Sequence, residues 1–126
     1  MFASHEASNR VVNSGLARWQ LRLALEFLEA HLAEDIGLDE LAHLVGISQS
    51  QFARAFKVST GLPPYQWCLR NRVKRAQEML LNGSDSLADT AIQNGFADQS
   101  HFTKTFRRVT GATPVNWKRV HRSYGR

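Results

Sequence analysis

Two stretches of this 126-residue sequence carry the same outward chemistry. In QSQFARAFKVST, from Gln49, helical spacing turns Phe52 and Phe56 to one side as an i,i+4 pair. It leaves Gln49, Ser50, Ala53, Arg54 and Lys57 on the other. In QSHFTKTFRRVT, from Gln99, Phe102 and Phe106 repeat the apolar pair. There Gln99, Ser100, His101, Thr103, Lys104, Arg107 and Arg108 project outward. Long donors, small hydroxyls and cations on one helix face can hydrogen-bond base edges in a groove and hold phosphate oxygens.

The charge distribution agrees with that chemistry. The chain carries a net +5, but residues 1–47 hold three basic and seven acidic side chains, whereas residues 48–126 hold thirteen basic and four acidic. Both outward faces lie in the basic part, where a polyanion is the natural partner. On charge alone a solvated face remains the rival reading.

Other chemistries find little support. Histidines 5, 31, 43, 101 and 121 form no i,i+3 or i,i+4 pair, and the sequence has no H-E-x-x-H, G-x-S-x-G or Gly-rich phosphate loop. Cys68 is the single cysteine, so neither a disulfide framework nor a cysteine zinc site is available. No catalytic residue, metal or cofactor is expected. The amino-terminal residues lack an apolar signal core and no apolar run approaches membrane-spanning length, so the expectation is a soluble cytoplasmic protein without a membrane partner.

The elements that position the two faces read as helices throughout. Residues 1–15 are polar and aperiodic, a tail or linker remnant. From Leu16 to about Ala33 the spacing predicts an amphipathic helix with Leu21, Leu25, Leu28 and Leu32 in the buried stripe and Trp19, Leu23 and Phe27 widening it. Helices follow over 38–45, 49–60, 64–81, 87–94, 99–110 and 114–122, punctuated by Gly46, Gly61, Gly83, Gly95 and Gly111 and opened by Pro64, Ser86 and Pro114. No segment alternates with period two. The expected fold is all-α, about seven helices: a first helix-turn-helix subdomain over 16–62, a long linker helix over 63–82, and a second helix-turn-helix subdomain over 83–126. The tryptophans read as core anchors, and Arg72 and Arg75 as ion-pair partners on the linker helix.

The strongest feature is an internal repeat. LAHLVGISQSQFARAFKVSTGLPPYQW, from Leu41, matches TAIQNGFADQSHFTKTFRRVTGATPVNW, from Thr90. Ala42 pairs with Ala91, Gly46 with Gly95, Phe52 with Phe102, Phe56 with Phe106, Thr60 with Thr110, Gly61 with Gly111, Pro64 with Pro114 and Trp67 with Trp117. Each copy is a short helix, a glycine turn and a second helix, with an alanine where the two helices approach. One such pattern is common in helical domains. Two in register, each with a polar and cationic second helix, point to double-stranded DNA.

These residues resemble the DNA-binding domain of the AraC/XylS family of bacterial transcription regulators. The resemblance covers about Leu16 to Arg122. It is carried most specifically by GFADQSHFTKTFRRVTGATPVNW, from Gly95, and by Arg72-Val73-Lys74-Arg75-Ala76 with Leu80-Leu81 in the linker helix. It implies that residues 49–60 and 99–110 are recognition helices entering successive major-groove segments of one DNA face. By the same resemblance Ser50, Ala53 and Arg54 meet base edges and Lys57 a phosphate, while Gln99, Ser100, His101, Thr103 and Lys104 form the second reading face. His101 is equally an exposed polar residue. Because Ser50 and Ala53 are small, Arg54 carries most of the first readout. The two faces differ, with Gln49-Ser50-Gln51 in one and Gln99-Ser100-His101 in the other, so a monomer on an asymmetric site is expected unless the chain is part of a longer one. The resemblance further implies contact with RNA polymerase, for which Glu26, Glu29, Glu34 and Asp35 offer an acidic surface that otherwise reads as solvated. Family members often add a sensing domain, for which this chain has no room. It reads as either a stand-alone regulator or the DNA-binding part of a longer protein.

Overall fold

A computed structural model describes residues 15–83 and 86–124. Seven α-helices occur among them: α1 (Arg18–Ala30), α2 (Leu38–Val45), α3 (Gln49–Thr60), α4 (Pro64–Asn82), α5 (Leu87–Gln93), α6 (Gln99–Thr110) and α7 (Pro114–Tyr124). The chain divides into two compact units. The first takes in α1, α2, α3 and α4 as far as Cys68; the second takes the remainder of α4 from Leu69, then α5, α6 and α7. The short segment Leu32–Glu34, which follows α1 in sequence, belongs to the second unit.

Local chemistry sets the helix ends. Gly46, Gly61 and Gly111 are left-handed C-caps, a conformation that costs other L-residues roughly 1–2 kcal/mol. The repeated Thr-Gly pair gains a physical meaning here. Thr60 Oγ1 lies 2.9 Å from the Phe56 carbonyl and accepts the Leu62 N–H at 3.2 Å, and Thr110 does the same with Phe106 and Ala112 at matching distances. Each hydroxyl thus closes the turn that ends its helix. Ser86 accepts the Asp89 N–H at 3.1 Å and opens α5, as its sequence position predicts.

Each unit has its own core. In the first, Ala24 and Leu28 from α1 meet Leu41, Ala42 and Val45 from α2 and Phe52 and Phe56 from α3. Trp67 stands edge-on to Phe56, with ring centroids 6.1 Å apart. In the second, α4 contributes Leu69, Val73, Ala76 and Leu80, spaced for one helix face, against Ala91, Phe96, Phe102, Phe106 and Trp117. The Phe106–Trp117 pair repeats the edge-on geometry at 5.8 Å.

The first helix departs from its sequence reading. It ends at Ala30, and residues 31–33 form a turn. Its buried line is Gln20, Ala24 and Leu28, with Leu21 and Leu25 only half-buried. Gln20 tolerates burial because both ends of its amide are used: Oε1 accepts the Ala17 N–H at 2.9 Å and Nε2 donates to the Val45 carbonyl at 3.0 Å. Trp19 is 59% exposed and so is not a core anchor, unlike Trp67 and Trp117. The expected tail over residues 1–15 lies outside the described residues except for Gly15.

Candidate nucleic-acid interface

The two outward faces are built by the cores beneath them. Phe52, Ala55 and Phe56 on α3, and Phe102, Thr105 and Phe106 on α6, are buried almost completely. Removing a buried Phe side chain costs about 3–5 kcal/mol, so these positions fix the roll of each helix. What remains outward is then determined by the 3.6-residue period.

On α3, Gln49, Ser50, Arg54 and Lys57 are exposed and Ala53 is half-buried. Ser50, Ala53, Arg54 and Lys57 fall at i, i+3, i+4 and i+7, one continuous stripe. On α6, Gln99, Ser100, Lys104, Arg107 and Arg108 are exposed, and His101 and Thr103 are half-buried. Ser100, Thr103, Lys104 and Arg107 repeat the same spacing, so all the residues singled out from sequence lie on the solvent side of their helices. His101 is held more firmly than its neighbours, its ring tilted against Phe96 with centroids 5.4 Å apart. Lys57, Arg107 and Arg108 sit in the last turns, where the negative end of the helix dipole favours a cation without any partner.

The amino-terminal ends of these helices carry caps that the sequence reading passed over. Ser48 accepts the Gln51 N–H at 3.2 Å while Gln51 Oε1 accepts the Ser48 N–H at 3.1 Å, a reciprocal capping box. Asp98 Oδ1 accepts the His101 N–H at 2.8 Å. The signal was present as S-x-x-Q at 48–51, three residues before the outward stripe becomes basic.

The turns that precede α3 and α6 are not alike. Gly46, at φ +76°, has nothing within 4 Å of where a Cβ would stand. Gly95, at φ +84°, has the backbone of Ala33 in that place, its carbonyl oxygen 2.9 Å away. Arg72 is part of this junction and not the ion-pair partner its sequence position suggested. Its Nε donates to the Leu32 carbonyl at 2.7 Å, one terminal nitrogen to the Glu34 carbonyl at 2.9 Å and the other to the Gly95 carbonyl at 3.2 Å. Among the described residues no group of three or more His, Cys, Asp or Glu side chains is placed to hold a metal ion. No helix among them is long and apolar enough to cross a membrane.

Comparison with known proteins places this geometry. A helix-turn-helix domain family matches residues 41–119. The regulatory protein PocR of Salmonella typhimurium is 32% identical over 99 residues, covering 79% of this chain and 33% of PocR. The transcriptional activator RhaS of Escherichia coli is 34% identical over 95 residues, covering 75% and 34%. The chain spans 41% or less of the length of such curated relatives. Among solved structures, the DNA-binding domain of AdpA in complex with a target DNA matches with a TM-score of 0.77 at 28% identity, covering 83% of this chain and 95% of that one. An AraC-type regulator from Chromobacterium violaceum matches with a TM-score of 0.75 at 32% identity, covering 82% and 91%.

Proposed function

Because this chain belongs to the AraC/XylS-type helix-turn-helix family, we propose that it regulates transcription by reading two successive major-groove segments of double-stranded DNA with α3 and α6. Its fold and family are those of a DNA-binding regulatory domain and not of an enzyme. The observation that carries the proposal is the duplicated stripe: two helices rolled by identical Phe pairs, each presenting hydroxyls and cations to solvent at the same spacing.

The roles follow from side-chain chemistry. Arg54, exposed midway along α3, has the planar fork that matches guanine O6 and N7. Ser50 and the Ala53 methyl make the shorter contacts beside it, the methyl meeting a thymine. Lys57 holds a phosphate. On α6, Gln99, Ser100, His101, Thr103 and Lys104 read bases, and Arg107 and Arg108 hold phosphates. The two stripes share Gln49/Gln99 and Ser50/Ser100 but differ at Ala53/Thr103, Arg54/Lys104 and Lys57/Arg107, so the site is asymmetric and one chain occupies it. In this reading α4, about 28 Å of rise for its 19 residues, is a stiff linker matched to a groove repeat of about 34 Å.

Selection of binding sites from random duplexes, followed by spacer insertion, tests the proposal. The selected site is expected to be non-palindromic and about two helical turns long. Inserting about five base pairs between its halves turns them to opposite faces and abolishes two-segment binding; about ten restores the face but not the distance, so binding stays weak. Full recovery at ten would show flexibly joined readers or two chains on one site. A shallow dependence of affinity on log salt would instead favour an acidic protein partner over DNA.

A further inference from the structure

We propose that Arg72 is the positioning residue of the second recognition helix, acting on the turn that feeds it, and that Leu32–Glu34 are a working part of that turn. The inference rests on the reading of α6 as a DNA-reading helix. Gly95 lies four residues before the first residue of α6, and Phe96, one residue on, is buried in the second core. Whatever fixes the backbone at Gly95 therefore fixes where α6 begins.

Two features converge on that backbone. Arg72 donates to the Gly95 carbonyl and, from the same guanidinium, to the carbonyls of Leu32 and Glu34. The Ala33 backbone fills the space beside the Gly95 α-carbon, so the glycine is required twice over, by its φ and by this contact. Leu32, the first residue of the segment, is itself buried at 5% exposure. Among the described residues this guanidinium is spent on three neutral carbonyls, which makes geometry and not charge the purpose of Arg72. The guanidinium fork spans three acceptors at once in a fixed plane, whereas a lysine ammonium has one nitrogen on a flexible stem. In the first unit the corresponding glycine, Gly46, has nothing within 4 Å of its Cβ position, and the Val45 carbonyl beside it accepts a bond from Gln20 Nε2.

The test uses the full chain with Arg72→Lys and Arg72→Ala on a site selected by the wild-type protein. Hydroxyl-radical footprints and amide hydrogen exchange are read together. Arg72→Lys is expected to keep protection over the α3 segment, to lose it over the α6 segment, and to bind about ten- to a hundredfold more weakly. Its amides from Phe96 to His101 should exchange at least tenfold faster while those of α3 stay unchanged. Footprints and exchange identical to wild type in Arg72→Lys overturn the proposal, as does an equal loss over both segments. Should Arg72→Ala fail to fold, Arg72→Lys alone decides. If the wild-type protein protects only one segment, the two-segment reading fails. The exchange at 96–101 then still judges Arg72, because that readout needs no DNA.

Discussion

Val45 and Asn94 hold the same place in the two units, one residue before the turn glycine, yet one is buried hydrocarbon and the other a buried amide. Asn94 is wholly enclosed. Its Nδ2 donates to the Thr90 carbonyl at 2.7 Å and to the Met79 sulfur at 3.1 Å, but its Oδ1 finds no hydrogen-bond partner among the described residues. Leaving a buried acceptor unpaired costs about 1–3 kcal/mol, more than the roughly 0.5–1.5 kcal/mol that an ordinary hydrogen bond returns.

Two substitutions at this position are expected to diverge. Asn94→Val removes the orphaned oxygen together with the amide donor, and its stability should stay within about 1 kcal/mol of the wild-type protein. Asn94→Asp places a carboxylate in the same enclosure and should cost about 3–5 kcal/mol at pH 7. Burial raises that carboxyl's pKa above its unfolded value near 3.9, so the deficit is small below about pH 4 and grows as the pH rises toward the folded value. Urea unfolding of both variants at pH 4 and pH 7 measures this. An Asn94→Asp protein as stable as wild type at pH 7 would mean that water reaches the site.

The two turn glycines should also respond unequally. Gly46→Ala meets only the left-handed backbone penalty, about 1–2 kcal/mol. Gly95→Ala adds displacement of the Ala33 backbone, an overpacking cost of about 1–3 kcal/mol. Gly95→Val is worse again because a β-branched side chain is more restricted at positive φ. Chemical denaturation of the three variants should rank them in that order, and equal losses at Gly46 and Gly95 would remove the Ala33 contact from the account.

For the proposed reading face, Arg54 and Lys57 should separate base recognition from phosphate recognition. Arg54→Ala is expected to cost about 1–3 kcal/mol and to relax preference at one base position. Lys57→Ala should weaken all sequences alike and flatten the salt dependence by about one unit of slope. Binding-site selection repeated with each variant distinguishes them, and sequence-blind losses for both would take Arg54 off the list of base readers.

The repeat, the helix boundaries after the first helix and the outward stripes are legible in sequence because each rests on local chemistry. Glycine at a C-cap, serine at an N-cap and phenylalanine pairs at i,i+4 announce themselves within four residues. What stays hidden depends on partners far along the chain. Nothing near Gln20 reveals that it will satisfy the Val45 carbonyl, so the α1 stripe reads as the leucines and not as Gln20, Ala24 and Leu28. Arg72 reads as an ion-pair partner because its actual partners are carbonyls, which every residue possesses and no side chain advertises. The outward stripes and the Gly95 turn could be located by sequence, but the contacts that Arg72 and Ala33 make to that turn could not.

The placement of Leu32–Glu34 has a consequence for the way this protein is made. These three residues leave the ribosome roughly sixty residues before Gly95, against which the Ala33 backbone packs. The first core can close once α3 and the start of α4 have been translated, but Leu32–Glu34 must then wait with their carbonyls still bonded to water. Closing so long a loop is only slightly costlier in entropy than closing a short one, since each doubling adds about 0.6 kcal/mol. The penalty falls on rate, because distant contacts form slowly. The second unit thus completes its turn with residues translated well before it, and that junction can close only after Gly95 has been made.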